Sequence, residues 1–375
     1  MTRTIIISVI AAVFACGCGK QRDLYELQPT TLHVVGVLNV ALGGNPTMDA
    51  TIHLYGNGSV VKEFYSRPNG GTLHLLPGHY DAMVFNGVME SEQVTNLDGI
   101  YMRGTGSPAT FEVCCAPANP LRNIPCLDGE YIAGNNMSLF AFDMKEVDIK
   151  RTDGLRLKYI DGGRVREVDG DTSPIPNNVY VEFTPRACSF RFRVRMTGLV
   201  NPRSAAYVSG AVRGLMGSIF PATENGVPRG GFAATHHLAL FPCSGGEKIR
   251  IAEDGTEIGT AESSVFVTFG PVIPAPGERL ADKGLYFFDP VITLVDGTEF
   301  RLPSPLDITP QVNAIAATIS AHHSTAERIT HDNNLFTIEI PDSVLLPVVD
   351  EVDPGDGPLV DVTDWGRDEP VIIWI

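Results

Sequence analysis

The chain has 375 residues, a formal net charge of −16, 38 glycines and 27 prolines, with 43% hydrophobic and 19% charged residues. That length accommodates two domains with a core each, and the density of turn formers favours many short strands over a few long helices. The 44 acidic against 28 basic residues leave too little clustered positive charge for phosphate-backbone binding, so nucleic acid is not an expected partner.

Residues 1–18 read MTRTIIISVIAAVFACGC. Arg3 supplies a positive start, and Ile5 to Ala15 form an apolar run of eleven residues. That run is too short for a bilayer, which needs roughly 20 apolar residues, and has the length of a signal-peptide core. A cysteine directly after it is the expected point of cleavage and lipidation, so the mature chain would be tethered by acyl chains. Cys18 is the expected attachment residue, because Phe14 would stand two positions before a cut at Cys16, whereas Gly17 is acceptable next to the cut. Cys16 is the alternative.

A first domain is expected over residues 24–170. Leu32 to Val40, Ala50 to Tyr55, Thr72 to Leu76 and Tyr80 to Phe85 are strand-like and separated by Gly, Pro and Asn clusters. The LPGHYD sequence at 76–81 reads as a tight turn between two of them. A proline-bearing stretch follows at roughly 114–135, and strands resume at Met137 to Phe142, Val147 to Lys150, Leu155 to Ile160 and Arg164 to Val168. Five cysteines lie beyond the leader: Cys114, Cys115, Cys126, Cys188 and Cys243. An odd number leaves at least one thiol free, and one pairing open to them joins Cys114 or Cys115 to Cys126.

The polar stretch DGDTSPIPNN at 169–178 marks a boundary, and a second domain is expected over 175–346. Ser189 to Thr197 alternates cleanly, with Phe190, Phe192, Val194 and Met196 on one face and Arg191, Arg193 and Arg195 on the other. The arginine row reads as a solvated face, with an anion-binding row as the weaker reading. Residues 203–217 are the one stretch predicted helical, with Ser204 as N-cap, Gly217 as stop signal, and Ala205, Val208, Val212 and Leu215 at helical spacing. Strands return at Val179 to Phe183, His237 to Phe241, Val265 to Phe269, Leu285 to Val295, Glu299 to Leu302, Ile315 to Ile319 and Phe336 to Ile340.

Residues 347–375 form an acidic linker followed by two apolar pieces, Leu359 to Trp365 and Val371 to Ile375. Such a terminus is an aggregation hazard unless it pairs with a sheet. Leu359, Val360, Val362, Trp365, Val371, Ile373 and Ile375 are therefore the candidate donor-strand residues. No motif marks a catalytic residue: there is no nucleophile elbow, P-loop or dinucleotide fingerprint. His236-His237 and His322-His323 lack the carboxylate spacing of a metalloprotease helix, and the acids from Asp350 to Asp356 lack a complete calcium loop. No metal or cofactor is expected, and no enzyme activity.

Four stretches together resemble the fimbrillin-associated anchor and minor-subunit lipoproteins of Bacteroidota-type (type V) fimbriae. The cysteine is followed by Arg22-Asp23-Leu24-Tyr25; then come IHLYGNG (52–58) with LLPGHYDAMVFNG (75–87), FRFRVRMTGLVNPRSAAYVSGAVRGLMGS (190–218), and ITLVDGTEFRLPSPLDITPQV (292–312). The resemblance implies an all-β chain with one short helix: two tandem transthyretin-like β-sandwich domains and a C-terminal strand tail. It further implies a surface-exposed outer-membrane lipoprotein that contacts fimbrial subunits by strand addition. In the polymerising subunits of such fimbriae, the resemblance implies, proteolysis removes an N-terminal strand. Here no first-domain arginine stands out as a processing site, though Arg67 and Arg103 lie in loop-like sequence, which puts the anchor reading ahead. The alternative is a surface glycan- or ligand-binding lipoprotein, with an extracellular hydrolase third.

Overall fold

The computed structural model describes residues 36–42, 49–66, 70–90, 93–95, 99–149, 158–161, 164–167, 178–222, 229–243, 248–272, 285–324 and 334–349. Among these, strands dominate and one α-helix is present, so the chain is all-β in class. No helix among the described residues is long and apolar enough to cross a membrane.

The first layer is a three-stranded sheet in which Gly36–Leu42 lies between Gly71–Leu75, antiparallel, and Asn178–Phe183, parallel. It packs on a five-stranded antiparallel sheet containing Ser59–Ser66, Ala50–Gly56, Gly78–Asn86 and Ala141–Ile149. Between them lies a core of Leu38, Val40, Ile52, Leu54, Leu73, Tyr80, Val84 and Val147, among others. The LPG turn is tied down by the Tyr80 hydroxyl, which donates to the Leu76 carbonyl at 2.8 Å. Asn178–Phe183, assigned by the sequence to the far side of the boundary, is thus in register with the first described strand.

Ala50–Gly56 is buried almost throughout, because its two faces meet two different cores. Ala50, Ile52 and Leu54 face the first core; Tyr55 faces a middle one, with His53 set edge-on to Phe85 and Phe111 at ring separations of 5.1 and 6.0 Å. The middle core takes Met83, Phe85, Phe111 and Phe140 from the first half and Met216, Ile219, Ala234 and Phe269 from the second. Backbone pairing follows the same seam: Cys114 stands opposite Ser218, and Ile132 runs parallel to Thr235. Glu112, 7% exposed, accepts hydrogen bonds from Arg103 and Ser218, the latter 106 residues away.

The third core belongs to the second half. A twelve-stranded sheet carries Phe190–Val200, Ala205–Met216, Ala233–Phe241, Glu257–Ser263 and Phe287–Leu294, with Leu335–Ile340 parallel to Phe190–Val200. Phe190, Phe192, Val194 and Met196 point into this core as predicted, while Arg191, Arg193 and Arg195 stay part-exposed. Two hairpins share a D-G-T turn: the carboxylates of Asp254 and Asp296 accept from the backbone N–H of Thr256 and Thr298 at 3.0 and 2.9 Å. Gly255 and Gly297 supply the positive φ each turn needs, +85° and +82°.

The predicted helix at 203–217 is instead the strand Ala205–Met216, central in this sheet between Ala233–Phe241 and Phe287–Leu294. Gly210 leaves room for the Phe288 ring, which a Cβ would approach to 2.5 Å. The α-helix lies at Thr309–Ser324, across the predicted strand at 315–319. Asp307 accepts from the Thr309 N–H at 2.9 Å, Pro310 sits in the first turn, and Val312, Ile315, Ala316 and Ile319 fall on one buried stripe. The expected strands at 137–142 and 147–150 resolve into one, Ala141–Ile149.

Candidate functional site

The sequence-derived site residues Cys18 and Cys16, and the donor-strand set Leu359, Val360, Val362, Trp365, Val371, Ile373 and Ile375, lie outside the described residues. So do the acidic run from Asp350 to Asp356 and Trp374. The described body holds the surfaces on which an added strand could be received. A sheet edge offers backbone N–H and C=O groups at strand spacing, and side chains beside it give the alternating pockets that select a partner.

Among the described residues, Ser59–Ser66 closes one edge of the five-stranded sheet, and Gly71–Leu75 and Asn178–Phe183 close the two edges of the three-stranded sheet. Asn178–Phe183 carries an exposed aromatic: Tyr180 is 76% exposed while its neighbours Val179 and Val181 pack on the first core. At the other end of the molecule, Val344–Leu345 runs parallel to Phe190–Val200 and presents Leu345, with Val348 beyond it. Leu346 is fixed there by its N–H to the Val200 carbonyl at 3.1 Å and by Asn201 on its own carbonyl at 2.9 Å.

The arginine row is an ion-pair ladder. Glu262 bridges Arg193 and Arg195, and Arg195 also holds Glu339 at 3.0 Å. Those carboxylates offset Arg193 and Arg195, with the Arg193 bond holding the Glu262 carboxyl below its usual range. An anion site is not built here.

His236 and His237 lie on a central strand, Ala233–Phe241, and point to opposite faces. His236 sits in the third core beside Phe266, 5.1 Å between rings, and burial pushes its pKa down to about 3. His237 lies under a strap, residues 116–137, that crosses the sheet from the first half. The Leu121 N–H donates to His237 Nδ1 at 3.2 Å, Asn123 Nδ2 donates to Ser209 Oγ at 2.6 Å, and Arg213 pairs with Glu130. Ile124 packs there on Ala211 and Val291. His322 and His323 lie on the helix, not on a strand.

Cys126, Glu130 and His237 bring ligand-type atoms within 4.8 Å of one another. The proton inventory argues against a metal. Glu130 is committed to Arg213 and to the Leu127 N–H, and His237 Nδ1 already accepts, which leaves the ring proton on Nε2. All five described cysteines are free thiols, so the pairing of Cys114 or Cys115 with Cys126 is not formed. Burial raises Cys114 to about 11 and Cys115 and Cys188 to about 12, which keeps them protonated and unreactive.

No protein-family profile and no curated protein matches the chain. Solved structures do. A proposed adhesin from Bacteroides ovatus aligns over 83% of this chain and 95% of its own at 14% identity and a TM-score of 0.47. The fimbrial anchor protein Mfa2 from Porphyromonas gingivalis aligns over 81% and 89% at 10% identity and 0.40. The tip fimbrial protein Mfa3 from the same organism, with a C-terminal truncation, aligns over 73% and 82% at 13% identity and 0.27.

Proposed function

We propose that this chain is an outer-membrane lipoprotein that serves as a fimbrial anchor or accessory subunit and works through strand-addition contacts with other subunits. The observation that carries the reading is a juxtaposition: a short apolar leader ending in cysteine precedes a body built almost wholly of strands, with sheet edges that are unpaired among the described residues. The first feature supports a tether and the second a receiving surface. The apolar pieces at 359–375 are the donor candidates, and the work done is contact and not catalysis.

Crosslinking mass spectrometry on intact cells tests the contact, comparing the full chain with one ending before Leu359. Tail-dependent crosslinks to a fimbrial subunit are expected. A truncated protein that folds, reaches the surface and keeps an unchanged partner set would overturn tail donation. The tether is tested separately by metabolic labelling with an alkyne fatty acid, which Cys18→Ser should abolish and Cys16→Ser should not.

A further inference from the structure

At one end of the five-stranded sheet, the face that elsewhere meets the middle core carries a group of charged side chains. Gly78–Asn86 and Ala141–Ile149 run antiparallel there, with Asp81 opposite Glu146 and His79 opposite Asp148. Tyr80, Ala82, Val147 and Ile149 point into the first core, so alternation puts His79, Asp81, Glu146 and Asp148 together on the other face. A ring nitrogen of His79 and one carboxylate oxygen each from Asp81 and Glu146 lie within 4.8 Å of one another.

His79 Nδ1–H donates to the Asp148 carboxylate at 2.8 Å. The neutral ring then carries its lone pair on Nε2, and a carboxylate on the far nitrogen is how proteins orient a metal-binding imidazole. Ligand atoms that share one zinc ion at about 2.0–2.2 Å stand at most about 4.4 Å apart, so the three groups need only small rotamer adjustments to converge.

The charge balance points the same way. Four glutamates elsewhere each have an arginine: Glu112 has Arg103, Glu130 has Arg213, Glu257 has Arg203, and Glu262 has Arg193 and Arg195. Among the described residues no lysine or arginine pairs with Asp81 or Glu146. A group that can neutralise them is His79 itself, whose pKa is raised by the hydrogen bond to Asp148 and then by the charges of Asp148, Glu146 and Asp81. What distinguishes this group from a plain acidic patch is an imidazole nitrogen within 4.8 Å of two carboxylates that have no arginine or lysine partner among the described residues.

We propose that His79, Asp81 and Glu146 form a surface site for a divalent metal ion of the zinc class, with Asp148 as the positioning residue for His79. One imidazole and two carboxylates suit zinc better than calcium or magnesium, which take oxygen ligands in larger number. Water would complete the coordination. The site is rigid at its base, since all four residues sit on two hydrogen-bonded strands, and it is independent of the tether and of the C-terminal tail.

The test is calorimetric titration of the full mature chain with zinc chloride, alongside calcium and magnesium. One zinc ion per chain is expected, with calcium and magnesium at least about tenfold weaker. The double variant Asp81→Asn, Glu146→Gln should lose saturable binding. Asp148→Asn should weaken it by about ten- to a hundredfold while leaving the stoichiometry unchanged. Cys126→Ser should bind like the parent, which separates this site from the Cys126, Glu130 and His237 group. All the substituted side chains but Asp81 are exposed, and thermal melting will confirm that each variant folds. A readout that needs no variant is the imidazole nitrogen spectrum of the parent chain, where zinc should move the His79 Nε2 resonance and leave His236 in place. Absence of saturable binding up to about 1 mM zinc, unaltered binding in the double variant, or loss on Cys126→Ser would each overturn the proposal.

Discussion

The outer cores and the middle core differ in who builds them. Leu38, Ile52 and Leu73 meet within the first half of the chain, apart from the strand lent by Asn178–Phe183; Phe192, Val208 and Ile292 meet entirely within the second. The middle core has no single owner. Phe85, Phe111 and Phe140 share one cluster with Met216, Ile219 and Phe269 from the other half. An outer core can therefore loosen with local consequences, whereas the middle one couples both halves into one cooperative unit.

The largest expected effect is at the shared core. Phe111→Ala removes a fully buried ring and should cost about 3–5 kcal/mol. Hydrogen exchange should accelerate on both sides of the seam, in Glu112–Cys115 and in Ser218–Phe220. Leu38→Ala, an outer-core change of about 2–5 kcal/mol, should accelerate exchange in the first-half strands and leave Ala205–Met216 protected. Equal spreading in the two variants would break the distinction between shared and owned cores.

Next in size is the strap. Arg213→Met leaves Glu130, whose side chain is 7% exposed, without its cation, and breaking a buried pair from one side costs about 3 kcal/mol or somewhat more. Limited proteolysis should then cut within 116–137, where the parent resists. Replacing both partners together, Arg213→Met with Glu130→Leu, should recover part of that loss, because Glu130 is no longer stranded while Asp289, which Arg213 also faces at 3.5 Å, still loses its cation.

These contrasts also explain what was legible in the sequence. Phe190–Val200 declared itself, since one face packs and one meets water. Ala205–Met216 did not, because both of its faces are covered: Val208, Val212 and Leu215 by the third core, Ser209 and Ala211 by the strap. With no wet face there is no alternation, and its small residues at three- and four-residue intervals mimicked a helix. The IAATI segment erred in the other direction, because a short apolar run of β-branched residues looks like a strand until Asp307 and Pro310 are recognised as a helix start. The His79 group was readable only as two i, i+2 pairs of polar residues; nothing in one dimension sets Asp81 opposite Glu146, which is a matter of register.

Acid sensitivity gives a smaller, graded test. Burial lowers His53 and His237 to about 4 and His236 to about 3, one imidazole each in the middle core, under the strap and in the third core. Above pH 6.5 both folded and unfolded states are neutral at these rings and nothing is lost. Below it the unfolded chain takes up protons that the folded chain refuses, so stability falls as pH drops toward 4. The slope approaches about 1.4 kcal/mol per pH unit for each ring. Denaturant midpoints between pH 7 and 4.5 should show that decline, and His236→Leu should flatten it by about one third. An unchanged slope would mean that the ring is not the proton-excluding group the fold makes it.

The smallest effect calibrates the others. Arg203 and Glu257 pair at 2.7 Å on the surface of the second half, with the arginine side chain 72% exposed. The geometry is as good as that of the buried pairs, but water screens it, so Arg203→Ala should move the denaturant midpoint only slightly, and less still at high salt. If that variant matched Arg213→Met in denaturant midpoint, burial and the shared seam would not be what gives the strap its weight. The expected several-fold gap would assign the difference to desolvation and to coupling between the halves, since the arginine and its carboxylate partner are chemically the same in both places.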